Sequence, residues 1–541
     1  MHNTNTPKYW YVMSVGLAVM IAASAAGSTA AVWGGLEPGP YAVGFKTIEK
    51  YDYSRTFQPA KDYYGNPVEG GKGRPIQVCI WYPAVPTDGP RMVFSEYSFP
   101  YPSDPGFFPL LSQLQNREFN TLYFFMGNNQ AQVSNLMNLE LMAVRDAAEA
   151  AGTFPLIVYH GGERSGYCQN VVMCEYLASH GFVVATTHTV GMTAPNPSDR
   201  QSDLEAVIRD KEFVVASMRE QAGVDCERLG LIGYDYGGVT ALLHQMRNYS
   251  VGAVATLQGR ILNSGGATML KTNAGYEPLR LQAPWLQIYT ENPQMAVDLS
   301  VVDSMKYSKR YSLRAPHLRP NEFSTYGVMA AVMGIDTTRA PQTVPQAHAA
   351  VCQYLLKFFD AHLRNNEASL AWLGNSPETN GFGDQEMTLA TAQGEPVPPT
   401  QDQFVTIIQT YGLERARELA TRFDLINPRN PILSDANFTR LGYEFLLRGE
   451  VAPALQLFQW GVTAYPGSAN AWDSYGEACA ANGDLELALA NYRKAQETMP
   501  LDSTLSPQMR QVLEGNSKTN ITRLEQQISE RAGAGGTQGD R

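Results

Sequence analysis

Cysteine is scarce in this sequence, and its distribution excludes two common kinds of stabilisation. The six cysteines are scattered over 541 residues, at Cys79, Cys168, Cys174, Cys226, Cys352 and Cys479. This spacing fits neither a disulfide framework nor a metal site. Cys168 and Cys174 are close enough in sequence to pair in an oxidising compartment, and the alternative is that both are small buried residues beside a helix.

Basic runs are missing as well, and the formal net charge is −11. Nucleic acid is therefore excluded as a main partner, because binding to phosphates requires a basic patch. No metal-binding or nucleotide-binding motif occurs, so we expect no cofactor. Hydrophobic residues make up 44% of the chain and charged residues 17%, which predicts a packed globular protein, and the length predicts two or more domains.

One uninterrupted apolar run is nearly long enough to span a membrane. Lys8 is followed by an apolar, small-residue stretch that ends near Ala31. We interpret residues 1–31 as a signal peptide, and the alternative is a retained membrane anchor. The sequence thus predicts an exported protein, periplasmic or extracellular, that meets a membrane only if this segment is retained.

From residue 35 to about residue 366, short buried strands alternate with helices. One strand is predicted at residues 74–84, where Ile76, Val78, Ile80 and Tyr82 alternate with other residues. Six buried strands without alternation are predicted at residues 155–160, 182–186, 229–233, 251–257, 284–290 and 310–314. Strands that lack polar alternation and are separated by helices are typical of a parallel sheet covered on both faces. We therefore predict an α/β domain with a mostly parallel sheet and helices on both faces, closed by a long helix over residues 345–363.

Residues 85–152 interrupt this rhythm and are interpreted as an insertion. Proline, glycine and aromatic residues crowd its first part, and a helix is predicted from Val133 to Ala151. We expect the insertion to cover one end of the sheet domain and to shape a pocket there.

The C-terminal part is predicted to be an all-helical repeat tail. Residues 374–400, rich in proline, glycine and threonine, are predicted to be a linker, and residues from about 533 to 541 a disordered tail. Six residues, Gly442, Gly449, Ala454, Phe458, Tyr465 and Pro466, recur 34 positions later as Gly476, Gly483, Ala488, Tyr492, Met499 and Pro500. This period resembles the tetratricopeptide repeat, in which small residues let two antiparallel helices approach. The resemblance covers residues 401–515, with a degenerate earlier unit at 404–428, and implies a possible protein partner.

The motif that carries chemistry is Gly233-Tyr234-Asp235-Tyr236-Gly237-Gly238, between a predicted strand and a predicted helix. In this context the glycines permit a tight turn that presents one side chain above the helix N-terminus. That side chain is Asp235. The alternative is that Asp235 simply caps the helix.

The chain resembles the α/β-hydrolase superfamily, and within it the platelet-activating-factor-acetylhydrolase-like and dienelactone-hydrolase-like branches. The resemblance covers residues 35–366 and rests on the elbow motif and on the segments at residues 80–84, 159–162, 177–185 and 228–233. It implies an oxyanion hole formed by Gly161, Gly162 and the amide of Tyr236, with His317 as general base. His317 is alternatively an ordinary loop histidine, and His348 is the less favoured candidate.

Two departures from the family pattern affect the expected chemistry. Asp235 stands where the family usually has serine, and Gln258-Gly259 stands where this branch often places its acid. Glu291, after the fifth strand of the family pattern, is a candidate to orient His317, and the alternative is that it is a solvated loop residue. The triad is therefore not intact.

An aspartate nucleophile argues against ordinary esterase chemistry, because its attack on an ester would produce an anhydride. Its attack on a saturated carbon that bears a halide or an epoxide oxygen gives a stable ester, which His317-activated water would hydrolyse. The elbow is similar to that of haloalkane dehalogenases and epoxide hydrolases. Three hypotheses remain: an Asp235 hydrolase of a small organic substrate, a catalytically degenerate binding or scaffold protein that engages a partner through its repeats, and a hydrolase that works through Ser165.

Overall fold

The computed structural model describes residues 29–57, 73–99, 102–164, 166–291, 297–425 and 431–535. The chain forms two compact units, Met1–Pro396 and Val397–Arg541, which we call the sheet unit and the helical unit. Most of the predicted signal segment, together with Ser165 and residues 536–541, lies outside the described residues. Residues 29–31 begin a short helix, and residues 533–535, predicted to be disordered, end the last one.

The sheet unit contains one sheet, which has eleven strands within the described residues. The strands are β1 (Ala42–Asp52), β2 (Arg74–Ala84), β3 (Arg91–Val93), β4 (Glu140–Arg145), β5 (Phe154–His160), β6 (Val183–Thr186), β7 (Val224–Tyr234), β8 (Val251–Leu257), β9 (Trp285–Tyr289), β10 (Arg310–Arg314) and β11 (Thr388–Ala392). Their order across the sheet is β11-β10-β9-β8-β7-β5-β6-β2-β1-β4-β3. From β6 through β5 to β10 all neighbours pair parallel, and β2 joins β6 antiparallel.

The helices of the sheet unit lie before, between and after these strands. They are α1 (Thr29–Trp33), α2 (Phe94–Ser98), α3 (Phe108–Phe125), α4 (Gln130–Met137), α5 (Val171–Ser179), α6 (Gln201–Met218), α7 (Tyr236–Arg247), α8 (Ser264–Lys271), α9 (Ser300–Ser304), α10 (Thr325–Val332), α11 (Thr343–Leu363) and α12 (Glu367–Leu373). The strand order and the crossover helices confirm the predicted fold class, a mostly parallel α/β-hydrolase sheet followed by an all-helical region.

Two hydrophobic cores lie on opposite faces of the sheet. In β5, Ile157 and Tyr159 belong to the core that α5, α10 and α11 cover, whereas Leu156 and Val158 belong to the core that α6, α7 and α8 cover. Every residue of β5 is buried, which is why the sequence shows no polar alternation in this strand. The two covered faces leave the strand ends as the places where a site can open.

The predicted helix from Val133 to Ala151 is wrong beyond Met137. Helix α4 ends at Met137, and residues 140–145 form β4, which pairs parallel with β1 and antiparallel with β3. Leu141 and Ala143 are buried in the core that α5 covers. Pairing with two strands has overridden the helix-forming composition of this segment.

Part of the segment predicted to be a linker is an edge strand. Strand β11 lies within residues 374–400 and pairs antiparallel with all five residues of β10, from Arg310–Ala392 to Arg314–Thr388. The segment mixes threonine, which favours strands, with alanine, which does not, and its burial is slight, so it gives no clear strand signal. The strand forms because β10 would otherwise expose an unpaired edge.

The helical unit consists of helices throughout its described residues. They are α13 (Gln401–Arg422), α14 (Asp435–Leu447), α15 (Val451–Ala464), α16 (Ala469–Asn482), α17 (Leu485–Thr498) and α18 (Pro507–Gly535). Gly412, with φ 79°, breaks α13 into two shorter helices. Ser434 and Ser468, 34 positions apart, accept hydrogen bonds from the first-turn amides of α14 and α16.

The contacts inside the helical unit recur at the 34-residue offset seen in the sequence. A Cβ atom at Gly442 would lie 2.3 Å from the Phe458 ring, and one at Gly476 would lie 3.2 Å from the Tyr492 ring. Glycine therefore lets an aromatic side chain of the following helix come close at two equivalent positions. The tetratricopeptide assignment stays a prediction, which these contacts favour.

All six cysteines lie in the described residues, and all are buried and free. Cys168 and Cys174 do not pair, so the alternative of two small buried residues is the correct one. No helix among the described residues is long and apolar enough to cross a membrane.

Candidate functional site

The backbone at Asp235 is strained, and it lies between the end of β7 and the start of α7. Its φ is 51° and its ψ is −115°, a region that costs a residue with a side chain about 1–3 kcal/mol. Three backbone hydrogen bonds hold it there: its N–H donates to the Leu257 carbonyl at 3.2 Å, and its carbonyl accepts from Gly238 at 3.0 Å and Arg260 at 2.9 Å. The predicted tight turn is thus present and presents the Asp235 side chain outward.

Glycines on both sides of Asp235 permit this turn because neighbouring backbone comes very close. A Cβ atom at Gly233 would lie 2.3 Å from the Gly237 carbonyl oxygen, and one at Gly237 would lie 1.9 Å from the His160 carbonyl oxygen. Both distances are shorter than any ordinary contact. The elbow and the end of β5 are therefore packed backbone against backbone.

The Asp235 carboxylate is held by Arg260, which follows the neighbouring strand β8. Arg260 Nε donates to Oδ1 at 3.2 Å, and Nη2 donates to Oδ2 at 3.0 Å. This is a two-point pairing, the strong form of a guanidinium–carboxylate contact. The alternative that Asp235 caps α7 is wrong, since its side chain makes no capping hydrogen bond.

Arg260 is the centre of a larger ionic cluster. Its Nη2 also donates to Glu163 at 2.7 Å, its Nη1 donates to Asp199 at 3.0 Å, and its guanidinium lies 5.3 Å from the centre of the Tyr236 ring. Burial acts to lower the pKa of Arg260, but Asp235 and then Glu163 outweigh it, so the pKa is raised. The cation is fixed, and its hydrogen-bond donors are almost all taken by carboxylates of this chain.

Arg260, Glu163 and Asp199 were missed by the sequence reasoning, although one signal for Arg260 was available. In the parallel pair β7–β8, Tyr234 lies opposite Leu257, so the residues after each strand reach the same edge of the sheet. Arg260 stands two residues after Gln258, which occupies the position where the family branch often has an acid. A cation at the edge where an acid was expected is the signal.

No hydrogen bond or ion pair among the described residues joins His317 or Glu291 to Asp235, or His317 to Glu291. His317 Nε2 lies 4.0 Å from a carboxylate oxygen of Glu386, beyond hydrogen-bond range, and Glu291 forms an ion pair with Arg314 at 3.1 Å. Within the described part of the chain no hydrogen bond joins His317 to Asp235. The acid nearest His317 is thus Glu386, which precedes β11 and carries no sequence signal.

The predicted oxyanion donors are only partly available. The N–H of Gly162 donates to Gln169 Oε1 at 3.1 Å, and the carbonyl of Gly161 accepts from the Thr189 hydroxyl at 3.4 Å. Tyr236 begins α7, so its amide is one of those that a helix leaves without an intrahelical acceptor. Of the three predicted donors, the Gly162 amide already has an acceptor inside the protein.

Buried histidines beneath the elbow are neutral and structural. His160 Nδ1 lies 2.8 Å from the Thr240 hydroxyl, and His160 Nε2 lies 3.3 Å from His244 Nδ1. Burial lowers the pKa of His160 well below its ordinary value and that of His244 to about 3. His348, the less favoured base, is buried in α11, and burial lowers its pKa to about 4. None of the three is placed to act at the surface.

Two side chains of the insertion hold the loops that follow β5 and β6. Arg117 Nη1, in α3, donates to the carbonyls of Thr189 at 2.8 Å and Pro195 at 2.6 Å. The neighbouring Glu118 accepts from the Gly166 amide at 2.7 Å, and burial raises its pKa to about 7 although Arg117 opposes this. The insertion therefore orders the loops at the edge where Asp235 lies.

Replacement of Arg260 should show how much the ionic cluster contributes to stability. We expect Arg260→Gln to lower the free energy of unfolding by about 2 kcal/mol, since charge-assisted hydrogen bonds are lost and Asp235 and Asp199 are left without a cation. Arg260→Lys should recover less than half of this, because an ammonium cannot bind a carboxylate at two points. Urea denaturation of the three proteins measures both effects, and equal stability of all three would contradict a structural role for the cluster.

Within the described ranges, no group of three or more histidine, cysteine, aspartate or glutamate residues is arranged to hold a metal ion.

No protein-family model and no curated protein matches this chain. Among solved structures it is similar to a ferulic acid esterase from Streptomyces cinnamoneus, with 22% sequence identity and a TM-score of 0.41. The similarity covers 61% of this chain and 93% of the esterase chain.

Proposed function

We propose that this chain is a catalytically degenerate α/β-hydrolase-fold protein that binds a protein partner through its helical unit. The observation that carries the proposal is the two-point binding of Asp235 by Arg260, at 3.2 Å and 3.0 Å. A nucleophilic carboxylate must offer a lone pair and its charge to a substrate carbon. A guanidinium that binds both oxygens stabilises the resting anion and so raises the barrier to attack.

The surrounding groups support the same conclusion. A second step would require a base close to the ester formed on Asp235, and His317 instead lies nearest to Glu386. The amide of Gly162 is bound by Gln169. The nucleophile and one oxyanion donor are thus each bound by another residue of the same chain, and no hydrogen bond among the described residues joins the base to the nucleophile.

The second part of the proposal is that the helical unit binds a protein partner. Stacked helix pairs form extended surfaces that suit protein partners, and the repeated glycine–aromatic contacts at Gly442 and Gly476 favour such stacking. We further propose export to the periplasm or the extracellular space, which rests on the N-terminal sequence alone.

A second candidate function is favoured by one specific observation, the strained backbone at Asp235. Strain of this kind is typical of reactive side chains, and the side chain of Asp235 is 35% exposed. In this alternative the chain hydrolyses a small organic substrate, Asp235 attacks a saturated carbon, and His317 activates water against the resulting ester. Arg260 would then have to release at least one carboxylate oxygen before attack.

Turnover in water enriched in heavy oxygen separates the two functions. We expect the purified protein to hydrolyse none of a panel of esters, epoxides and haloalkanes faster than buffer, and mass spectrometry to find no heavy oxygen in Asp235. Asp235→Asn should bind partners as the wild type does. The matched control is Arg247→Gln, because Arg247 at the C-terminal end of α7 forms another two-point pair, with Glu205 of α6. It should change neither the hydrolysis nor the labelling of Asp235.

Hydrolysis that Asp235→Asn abolishes, with heavy oxygen incorporated into Asp235 of the wild type, would establish the second function and overturn the first. Hydrolysis that survives Asp235→Asn would overturn both, because a different residue would then carry the reaction.

A further inference from the structure

The helical unit contains a cavity of about 500 Å³ between α16, α17 and α18. Its polar lining consists of Asp473, Glu477, Tyr492, Asn516, Asn520 and Arg523. The volume lies in the range of about 300–1,000 Å³ that is typical of ligand-binding cavities. The cavity lies in the unit to which the proposed function assigns partner binding, and nothing in that function specifies what enters it.

Two carboxylates on α16 line one wall of the cavity, and both lack a cation. Asp473 is only 6% exposed, and its Oδ1 accepts from the Ser517 hydroxyl at 2.6 Å. Its Oδ2 accepts no hydrogen bond from the described residues. Glu477, one turn later, accepts from the Tyr443 hydroxyl at 2.8 Å. Neither residue forms an ion pair within the described part of the chain.

An uncompensated carboxylate this deeply buried is costly. Burial raises the pKa of Asp473 to about 6, Ser517 opposes the rise, and the charge of Glu477 adds to it. Carboxylates in such surroundings are normally paired or bound to a metal, and no metal cluster includes these residues. A cation that enters the cavity would therefore relieve an unfavourable charge as well as form hydrogen bonds.

Donors line the opposite wall, on α18. The Arg523 guanidinium donates to Asn520 Oδ1 at 3.0 Å and forms no ion pair among the described residues, and Asn516 lies one turn before Asn520. Amide and guanidinium N–H groups are suited to bind the carbonyl oxygens of an extended backbone. The two walls together fit a peptide segment, which supplies both a cation and carbonyl oxygens. A small free amine would supply only the cation.

We propose that this cavity receives a lysine or arginine side chain from an extended segment of a partner protein. The Asp473 and Glu477 carboxylates bind the cation, and Arg523, Asn516 and Asn520 bind carbonyls of the same segment. An acidic segment is disfavoured because its side chain would meet two like charges. The inference rests on the proposed function, in which the helical unit engages a partner, and it adds the chemistry of that partner.

Fluorescence anisotropy with the full chain tests this proposal. The probes are fluorescein-labelled ten-residue peptides of glycine and serine whose central residue is lysine, arginine, alanine or glutamate. We expect the lysine and arginine peptides to bind at least tenfold more tightly than the alanine peptide, and the glutamate peptide to bind most weakly. Asp473→Asn and Glu477→Gln should each remove most of this preference, since they retain the acceptors for Ser517 and Tyr443 but lose the charge.

Glu486→Gln is the matched control, because Glu486 is exposed in the first turn of α17 and does not line the cavity. It should leave the preference unchanged. Equal binding of the four peptides, absence of binding by all of them, or a preference that Glu486→Gln removes as well, would each overturn the inference. Preference for the glutamate peptide would also overturn it but would leave partner binding by the helical unit standing. The absence of catalysis is judged separately by the heavy-oxygen experiment.

Discussion

Gly237→Ala should lower the free energy of unfolding of the sheet unit by about 3 kcal/mol or more. The added Cβ atom would lie 1.9 Å from the His160 carbonyl oxygen and 2.8 Å from the Gly161 carbonyl oxygen. Both obstacles are backbone atoms, so no side-chain rotation relieves the clash, and either α7 or the end of β5 must move. Urea denaturation measures the loss, with an unchanged slope showing that the same surface unfolds.

Gly265→Ala is the control for this substitution. Gly265 is exposed in α8, and its added Cβ atom would meet one side-chain atom at an ordinary distance of 3.5 Å. Alanine in a helix should stabilise the protein by about 0.5–1 kcal/mol at such a position. If Gly237→Ala is as stable as the wild type, the close packing of the elbow against β5 is incorrect, and the strained backbone at Asp235 loses its support.

The sheet could be predicted from sequence because its central strands are buried on both faces. β2, β8 and β10 have the predicted bounds, and β2 and β8 are buried at all but one residue. β4 and β11 could not be predicted. Their residues have no strong strand propensity and form strands because a neighbouring edge supplies hydrogen-bond partners.

The candidate site was predictable only as far as it depends on local sequence. The turn at Asp235 follows from glycines at fixed positions around it, and the structure has this turn. The partner of Asp235 depends instead on which strand lies beside β7, and Arg260 acquires its role from that adjacency. Glu386 was still harder to predict. It comes to 4.0 Å from His317 only because β11 pairs with β10.

The ion pair also changes what the motif implies. Glycines around an acidic residue indicate a turn that exposes a side chain, and this inference is independent of whether the side chain reacts. Reactivity depends on groups that approach from other strands, and here a cation, Arg260, approaches from the position where the family pattern places an acid. The elbow thus has the backbone turn of a reactive site, but the groups around Asp235 do not favour its reaction. This is why we propose a binding protein on a hydrolase fold.

Glu175→Ala should remove about 4 kcal/mol or more from the free energy of unfolding. Glu175 is fully buried in α5, and its carboxylate accepts from the Tyr97 hydroxyl at 2.8 Å and from the amides of Met142 and Ala143 at 3.1 Å and 3.0 Å. Each buried donor left without an acceptor costs about 1–3 kcal/mol, and the cavity left behind adds to the loss. The substitution therefore detaches the insertion strand β4 from α5, and urea denaturation measures the result.

Glu175→Gln separates the charge of this group from its hydrogen bonds. Burial raises the pKa of Glu175 to about 7, while Tyr97, Ala143 and Met142 oppose the rise. The folded protein then binds a proton that the unfolded chain has released between pH 4.5 and 7, so the free energy of unfolding falls as the pH rises through this window, by about 3 kcal/mol. Glutamine keeps an acceptor in place and cannot titrate, so this part of the decrease should vanish.

Glu118→Gln gives the matched comparison, because burial also raises the pKa of Glu118 to about 7. Glu118→Gln should remove the part of the decrease in the free energy of unfolding that is due to Glu118, and leave the part that is due to Glu175. Above pH 7 both carboxylates are charged inside the protein, and the glutamine variants should equal or exceed the wild type in stability. Parallel stability curves for the wild type and Glu175→Gln from pH 4.5 to 8 would mean that Glu175 is ionised throughout, and that its hydrogen bonds from Tyr97, Met142 and Ala143 outweigh burial.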